Sequence, residues 1–183
     1  MNVAIPKEEI IQSTLKLVHQ HGWDKVSVRM ISKEIGYSTI KIYSDFGSKE
    51  QLLFEIQKKG FAKLRQEYQA AIAQSDSPEL KLERLALVHV RFALNEPTYY
   101  ELMFSWKFIN CKSEAAHVKQ KTGMVIFDVV KELGVAEPRI AFMQFFSMLY
   151  GYVELSKELL DQKGPSVEST IEKFVHNFIH GIQ

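Results

Sequence analysis

The chain has 183 residues, 46% of them hydrophobic and 25% charged, which is enough apolar content for a substantial core and excludes a disordered polymer. The formal net charge is +1, and the first 50 residues hold seven basic and six acidic side chains, so no global positive field marks a nucleic-acid partner. The single cysteine, Cys111, excludes an internal disulfide and a multi-thiolate zinc site, and no run approaches the roughly 18 apolar residues that span a bilayer.

The N-terminus lacks the basic-then-apolar layout of a signal peptide, so a soluble, cytoplasmic protein without a membrane partner is expected. Pro6 with Glu8 and Glu9 opens a first helix whose inner stripe is Ile11, Leu15 and Val18, and Gly22 stops it. Ser27 caps a second helix of about two turns, with Val28, Ile31 and Ile35 inward, ending in a left-handed residue at Gly36. A third short helix runs from Ser38 or Thr39 to about Ser44. Ser48 and Gln51 form a capping box for a long fourth helix reaching about Ala73.

Ser77-Pro78 opens a fifth helix that Asn95-Glu96-Pro97 closes, and Tyr99 to Phe108 is a short aromatic helix. Residues 113 to 133 form a seventh, ended by Gly134. Pro138 starts an eighth running to about Lys163, and a break at Gly164-Pro165-Ser166 precedes a last helix with Val167, Ile171, Phe174, Phe178 and Ile182 on one stripe. The fold class is all-α, with about nine helices: a three-helix head over residues 1–50 and a helical body over 51–183.

Two short helices joined by a glycine-containing turn and backed by a longer one have the helix-turn-helix layout, in which the second short helix enters the major groove. Spacing alone also fits proteins that never touch DNA. The residue types decide between them. Ser38, Thr39 and Lys41 are small or basic residues on the exposed face of the third helix, and Tyr43 offers a phenol at the edge where a phosphate passes. Lys49 in the first turn of the fourth helix, and Ser27 with Arg29 at the second, put positive charge and donors at helix starts suited to phosphate. The expected partner is double-stranded operator DNA.

The stretch IIQSTLKLVHQHGWDKVSVRMISKEIGYSTIKIYSDFGSKEQLL, Ile10 to Leu53, resembles the DNA-binding head of the TetR (tetracycline repressor) family in its helix lengths, its Val-Ser-Val-Arg helix start and its Tyr-x-x-Phe-x-Ser-Lys-Glu ending. The resemblance implies an all-helical homodimer that represses promoters and lets go of DNA when a small molecule fills the body. It sets Ser38, Thr39 and Lys41 on the recognition helix, and Tyr43 and Lys49 at positions that usually touch phosphate. Three departures stand out: Ile40 where the family usually has a small residue, often glycine, and Thr14 and Ser32 where alanines are common.

The body offers two sets of candidates. Tyr100, Met103, Phe104, Phe127, Phe146 and Tyr150 are either plain core or the walls of a pocket for a flat apolar effector of unknown identity. Arg91 meets the effector's anion, pairs with an internal acid such as Glu96, or is exposed. The last two helices carry more apolar circumference than one intramolecular contact covers, so Phe142, Phe145, Leu149, Tyr152, Val153, Phe174 and Phe178 are expected at a two-fold interface built from them.

His176 and His180, one turn apart, are too few for a structural zinc site and read as helix-end histidines, so no metal and no cofactor is expected. With no nucleophile elbow, phosphate loop or metal-spaced cluster, no enzyme is expected either. The functional expectation is a ligand-released, homodimeric repressor. The alternative is a helix-turn-helix activator or DNA-organising protein without an inducer.

Overall fold

The structure is a computed structural model and describes residues 6–108, 114–159 and 166–182; Cys111 and the Gly164-Pro165 break lie outside these. Among the described residues there are nine α-helices and no strand: α1 Lys7–His21, α2 Val28–Ile35, α3 Thr39–Phe46, α4 Lys49–Ile72, α5 Pro78–Asn95, α6 Pro97–Phe104, α7 Glu114–Glu132, α8 Pro138–Leu159 and α9 Val167–Ile182. Single 3₁₀ turns cover Trp23–Lys25 and Trp106–Phe108. No helix among the described residues is long and apolar enough to cross a membrane.

The chain forms two compact units. The first comprises Met1–Gly60 and Thr98–Ala115, the second Phe61–Pro97 and Ala116–Gln183, so α4 contributes to both and α6 belongs with the head helices.

Local signals start and stop the head helices where the sequence puts them. Ser27 Oγ accepts the Met30 N–H at 3.3 Å, Ser38 Oγ accepts the Lys41 N–H at 3.3 Å, and Ser48 Oγ accepts the Gln51 N–H at 3.1 Å, so α2, α3 and α4 each have a side-chain cap. Gly36 closes α2 at φ 65°, ψ 28°, the left-handed conformation a residue without Cβ adopts at least cost. Ile10, Ile11, Leu15, Val18, Ile31, Ile42 and Phe46 are buried together, each worth roughly 1.5–3 kcal/mol of transfer from water.

Two of the residues that depart from the family pattern are absorbed by the backbone. The Thr14 hydroxyl donates to the Ile10 carbonyl at 2.7 Å in the core, and the Ser32 hydroxyl donates to the Tyr37 carbonyl at 2.5 Å, tying the end of α2 to the turn before α3. Neither buries an unsatisfied polar group.

In the same unit, α6 docks on the first half of α4. Gln57 Nε2 donates to the Leu102 carbonyl at 2.8 Å, which satisfies one of the last-turn carbonyls that α6 cannot pair internally. Gly60 sits against Met103 and Tyr99 at this crossing, so close that a Cβ there would overlap the Met103 side chain.

In the second unit α5 is the central helix, with Leu82, Leu85, Ala86, His89, Val90, Phe92 and Ala93 buried. It packs on α8 and α9. Arg91 near its end pairs with Glu168 in the first turn of α9 at 2.9 Å, while Glu79 and Glu83 near its start share a groove with His176 and His180, so α5 and α9 run antiparallel.

Candidate nucleic-acid interface

The third helix, α3, is eight residues long and its burial is one-sided. Ile42 and Phe46 are 2% and 7% exposed, and at about 100° per residue this leaves Ile40 and Ser44 facing the opposite way, with Lys41 on one flank and Tyr43 on the other. Lys41, Ser44 and Ser38 are exposed, Tyr43 is 50% exposed, and Thr39 is half-buried. The Ser38 oxygen is engaged by the Lys41 N–H, which leaves its hydroxyl proton to donate outward. Ser27 and Arg29 are exposed at the start of α2.

Lys49 is placed differently from the rest. Its Nζ donates to the Trp23 carbonyl at 2.9 Å and lies 4.6 Å from the centroid of the Trp23 ring, so the ammonium is held against the head rather than projecting from it. The adjacent Glu50 carboxyl is pulled below its usual range first by a backbone N–H at the helix start and then by the Ser48 hydroxyl, so the α4 terminus already carries an anion of its own. Trp23 is in turn edge-on to Phe108, centroids 6.4 Å apart.

The seven residues expected around an effector divide between the units. Tyr100, Met103 and Phe104 are buried in the first, Tyr100 and Phe104 with ring centroids 4.6 Å apart. In the second, Phe127 meets Phe142 at 5.9 Å, Phe142 meets Phe146 at 6.1 Å, and Phe146 meets the buried His89 ring at 5.6 Å, a continuous aromatic row with Tyr150 half-buried one turn beyond Phe146. Arg91 is at the surface, paired with Glu168, and Glu96 is paired with Lys63 instead.

Three of the residues expected at a two-fold interface need correcting, while Phe142, Tyr152, Phe174 and Phe178 are half-buried. Phe145, Leu149 and Val153 are 0–1% exposed within one chain, so they have no surface left for a second copy. Phe145 packs on Phe178 with centroids 5.1 Å apart and Tyr152 on Phe174 at 5.7 Å, which makes these pairs an intramolecular seam between α8 and α9. Phe142 belongs to the aromatic row. Among the described side chains, the large apolar residues α8 exposes are Ile140 at 49%, Met143 at 66% and Leu155 at 59%.

Sequence reasoning passed over two polar groups inside the second unit. His89 is fully buried and hydrogen-bonded to the Tyr68 hydroxyl, and burial pushes its pKa down to about 3. Arg84 has a buried Nη1 without a hydrogen-bond partner. The surface groove between α5 and α9, about 600 Å³, is lined by Glu79, Glu83, Glu172, His176 and His180 among others, and by none of the seven effector candidates. The rings of His176 and His180 are 4.2 Å apart, and no group of three or more metal-ligating side chains occurs among the described residues.

A capped two-turn helix presented outward from a helix-turn-helix head, on a chain with a second helical unit, is the layout of helix-turn-helix DNA-binding regulators. Residues 10–56 match the family model for bacterial regulatory proteins of the tetR family, and residues 82–177, over half of the chain, match the tetracyclin repressor-like C-terminal domain. The chain belongs to the TetR family of transcriptional regulators. It is 32% identical over 92 residues to the HTH-type transcriptional regulator BetI of Agrobacterium fabrum; the aligned part is 50% of this chain and 44% of that relative. Its fold is similar to that of a protein with unknown function from Rhodococcus sp. RHA1, with a TM-score of 0.85, 18% identity, and 99% and 97% of the two chains covered. It is also similar to the regulator FadR from Bacillus subtilis in complex with stearoyl-CoA, with a TM-score of 0.79, 16% identity, and 97% and 100% covered.

Proposed function

We propose that the protein is a homodimeric repressor whose heads, residues 1–50, read two half-sites of a pseudo-palindromic operator about one helical turn apart, and whose body, residues 51–183, senses a small molecule that releases the DNA. The observation that carries this reading is the one-sided burial of α3, with Ile42 and Phe46 inward and Ser38, Lys41 and Tyr43 exposed. An exposed row of hydroxyl, ammonium and phenol groups on a rigid short helix suits base edges and phosphates, and of the three only the Ser38 hydroxyl also serves the fold, as the cap of α3.

Dimerisation is supported by the outward side of α8, where Ile140, Met143 and Leu155 would stay wet in a monomer. A second copy related by a two-fold axis covers the same patch on both chains at once. The aromatic row Phe127–Phe142–Phe146 beside His89 suits an effector with a flat apolar part. The stearoyl-CoA complex of the Bacillus subtilis neighbour supports a ligand-holding body. A coupling of about 1–3 kcal/mol between effector and operator gives a switch of about 5- to 150-fold. On this reading the protein works in the cytoplasm, without cofactor or catalysis.

Sequencing of DNA fragments captured by the purified protein, followed by footprinting, tests the reading. A short, discrete, two-fold site is the expected outcome. Protection spread along every duplex would instead favour a DNA organiser, and a discrete site whose occupancy no body-binding compound alters would remove the inducer.

A further inference from the structure

Ile40 is 80% exposed, the highest value among the exposed large hydrophobic side chains of the described residues, and it sits on the outward face of α3. A β-branched residue gains nothing there for the fold: it has a lower helix propensity than alanine and touches no core. A lone exposed aliphatic residue is ordinary on a protein surface. This one is flanked by Lys41 and Tyr43 and shares its stripe with Ser44, all exposed, on the helix proposed to enter the major groove. Ser38 and Thr39, the other expected base-reading positions, are less free: one is a helix cap and the other is half-buried.

We propose that Ile40 is a base-reading residue whose side chain packs on the 5-methyl group of a thymine in each operator half-site. This rests on the reading of α3 as the recognition helix. In the major groove thymine presents the one apolar group, its C5-methyl, whereas guanine, adenine and cytosine present N7, O6 or amino groups. An isobutyl-sized side chain pressed on those polar groups would dehydrate them without offering a hydrogen bond, which disfavours them. Ile40 therefore selects thymine both by apolar contact and by exclusion. It also sets how closely α3 approaches the base edges, because it is the bulkier group on the stripe it shares with Ser44.

The test uses the full-length protein and a duplex selected by it from a random pool. Each thymine is replaced in turn by deoxyuridine, which removes only the methyl group. At one thymine position per half-site the replacement is expected to weaken binding about four-fold, the equivalent of about 0.8 kcal/mol for one buried methyl-sized group. Ile40→Ala should bind the thymine duplex more weakly and show no loss on the deoxyuridine duplex. Because the side chain is exposed, this variant folds; an unchanged helical circular dichroism spectrum and unchanged low-salt binding to random DNA verify that. If no thymine is sensitive, or if Ile40→Ala keeps the same sensitivity, the inference is overturned while operator binding stands. If the protein selects no discrete duplex at all, the recognition-helix reading itself fails and the inference falls with it.

Discussion

The Tyr68 hydroxyl lies 2.6 Å from Nδ1 of His89, and both side chains are buried in the second unit. Burial holds the His89 pKa at about 3, against 6.5 in the unfolded chain, so the folded protein carries a neutral ring. The stability this group contributes is fully present above pH 6.5 and is lost as the pH falls from there towards 3, because only the unfolded chain takes up the proton in that window. The expected loss at pH 5 is about 2 kcal/mol. Urea denaturation at pH 7 and pH 5 should show a smaller acid-induced loss for His89→Gln than for the wild type by about this amount. Equal losses would mean that the ring does not titrate with unfolding.

Tyr43 and Arg29 separate two ways of holding the DNA backbone. Tyr43→Phe removes a hydroxyl and no charge, so it is expected to weaken binding several-fold on cognate and random DNA alike, with the salt dependence unchanged. Arg29→Ala removes a charge at an exposed position of α2, so it should lower the slope of log affinity against log salt by about one per protomer. Fluorescence anisotropy at four or five salt concentrations measures both. A sequence-dependent loss for Tyr43→Phe would mark it as a base reader instead.

What the sequence made legible follows the range of the interactions. The caps at Ser27, Ser38 and Ser48 and the stop at Gly36 act over three or four residues, and each lies where the pattern of residues puts it. The partner of Lys49 is Trp23, 26 positions earlier, and nothing local points to it. On α8 the apolar residues run all the way round, so composition alone does not say that Phe145, Leu149 and Val153 turn inward while Ile140, Met143 and Leu155 turn out. His89 carried a readable signal that was missed. It falls at helical spacing on the same stripe as Leu82, Leu85, Ala86 and Ala93, which marks a histidine enclosed by core.

Lys49 makes a stability prediction opposed to its expected role at phosphate. Its ammonium bridges the Trp23 carbonyl and ring, so Lys49→Met should cost about 1–2 kcal/mol of stability through the lost hydrogen bond and cation–π contact. Thermal unfolding followed by circular dichroism reads this in the absence of DNA. A variant as stable as the wild type but weakened on DNA would restore the phosphate assignment.

At the crossing of α4 and α6, Gly60 permits an approach that a side chain forbids. Gly60→Ala drives a Cβ into Met103, which is buried and has little room to turn, so a loss of about 1–3 kcal/mol is expected despite the better helix propensity of alanine. Shortening the obstacle should recover most of it: the pair Gly60→Ala with Met103→Val is expected to be more stable than the sum of its single changes. A double-mutant cycle in denaturant checks the coupling, and strict additivity would show that the two residues do not constrain each other.

Leu149 lies on the buried side of α8 and Met143 on its exposed side, and the two should fail in opposite ways. Leu149 is 0% exposed, so Leu149→Ala leaves a cavity and is expected to cost about 2–5 kcal/mol without altering which surface a second copy meets. Met143 is 66% exposed, so Met143→Glu costs the isolated chain little, yet in a two-fold pairing it sets a carboxylate against the same apolar patch of the other copy and duplicates that penalty by symmetry. Analytical ultracentrifugation should therefore find Met143→Glu monomeric, with its helical content intact, and operator affinity reduced because two half-sites are no longer bound by one particle. Should Met143→Glu sediment as the wild type does, this side of α8 is not the pairing surface, and a dimer would have to be built on another face.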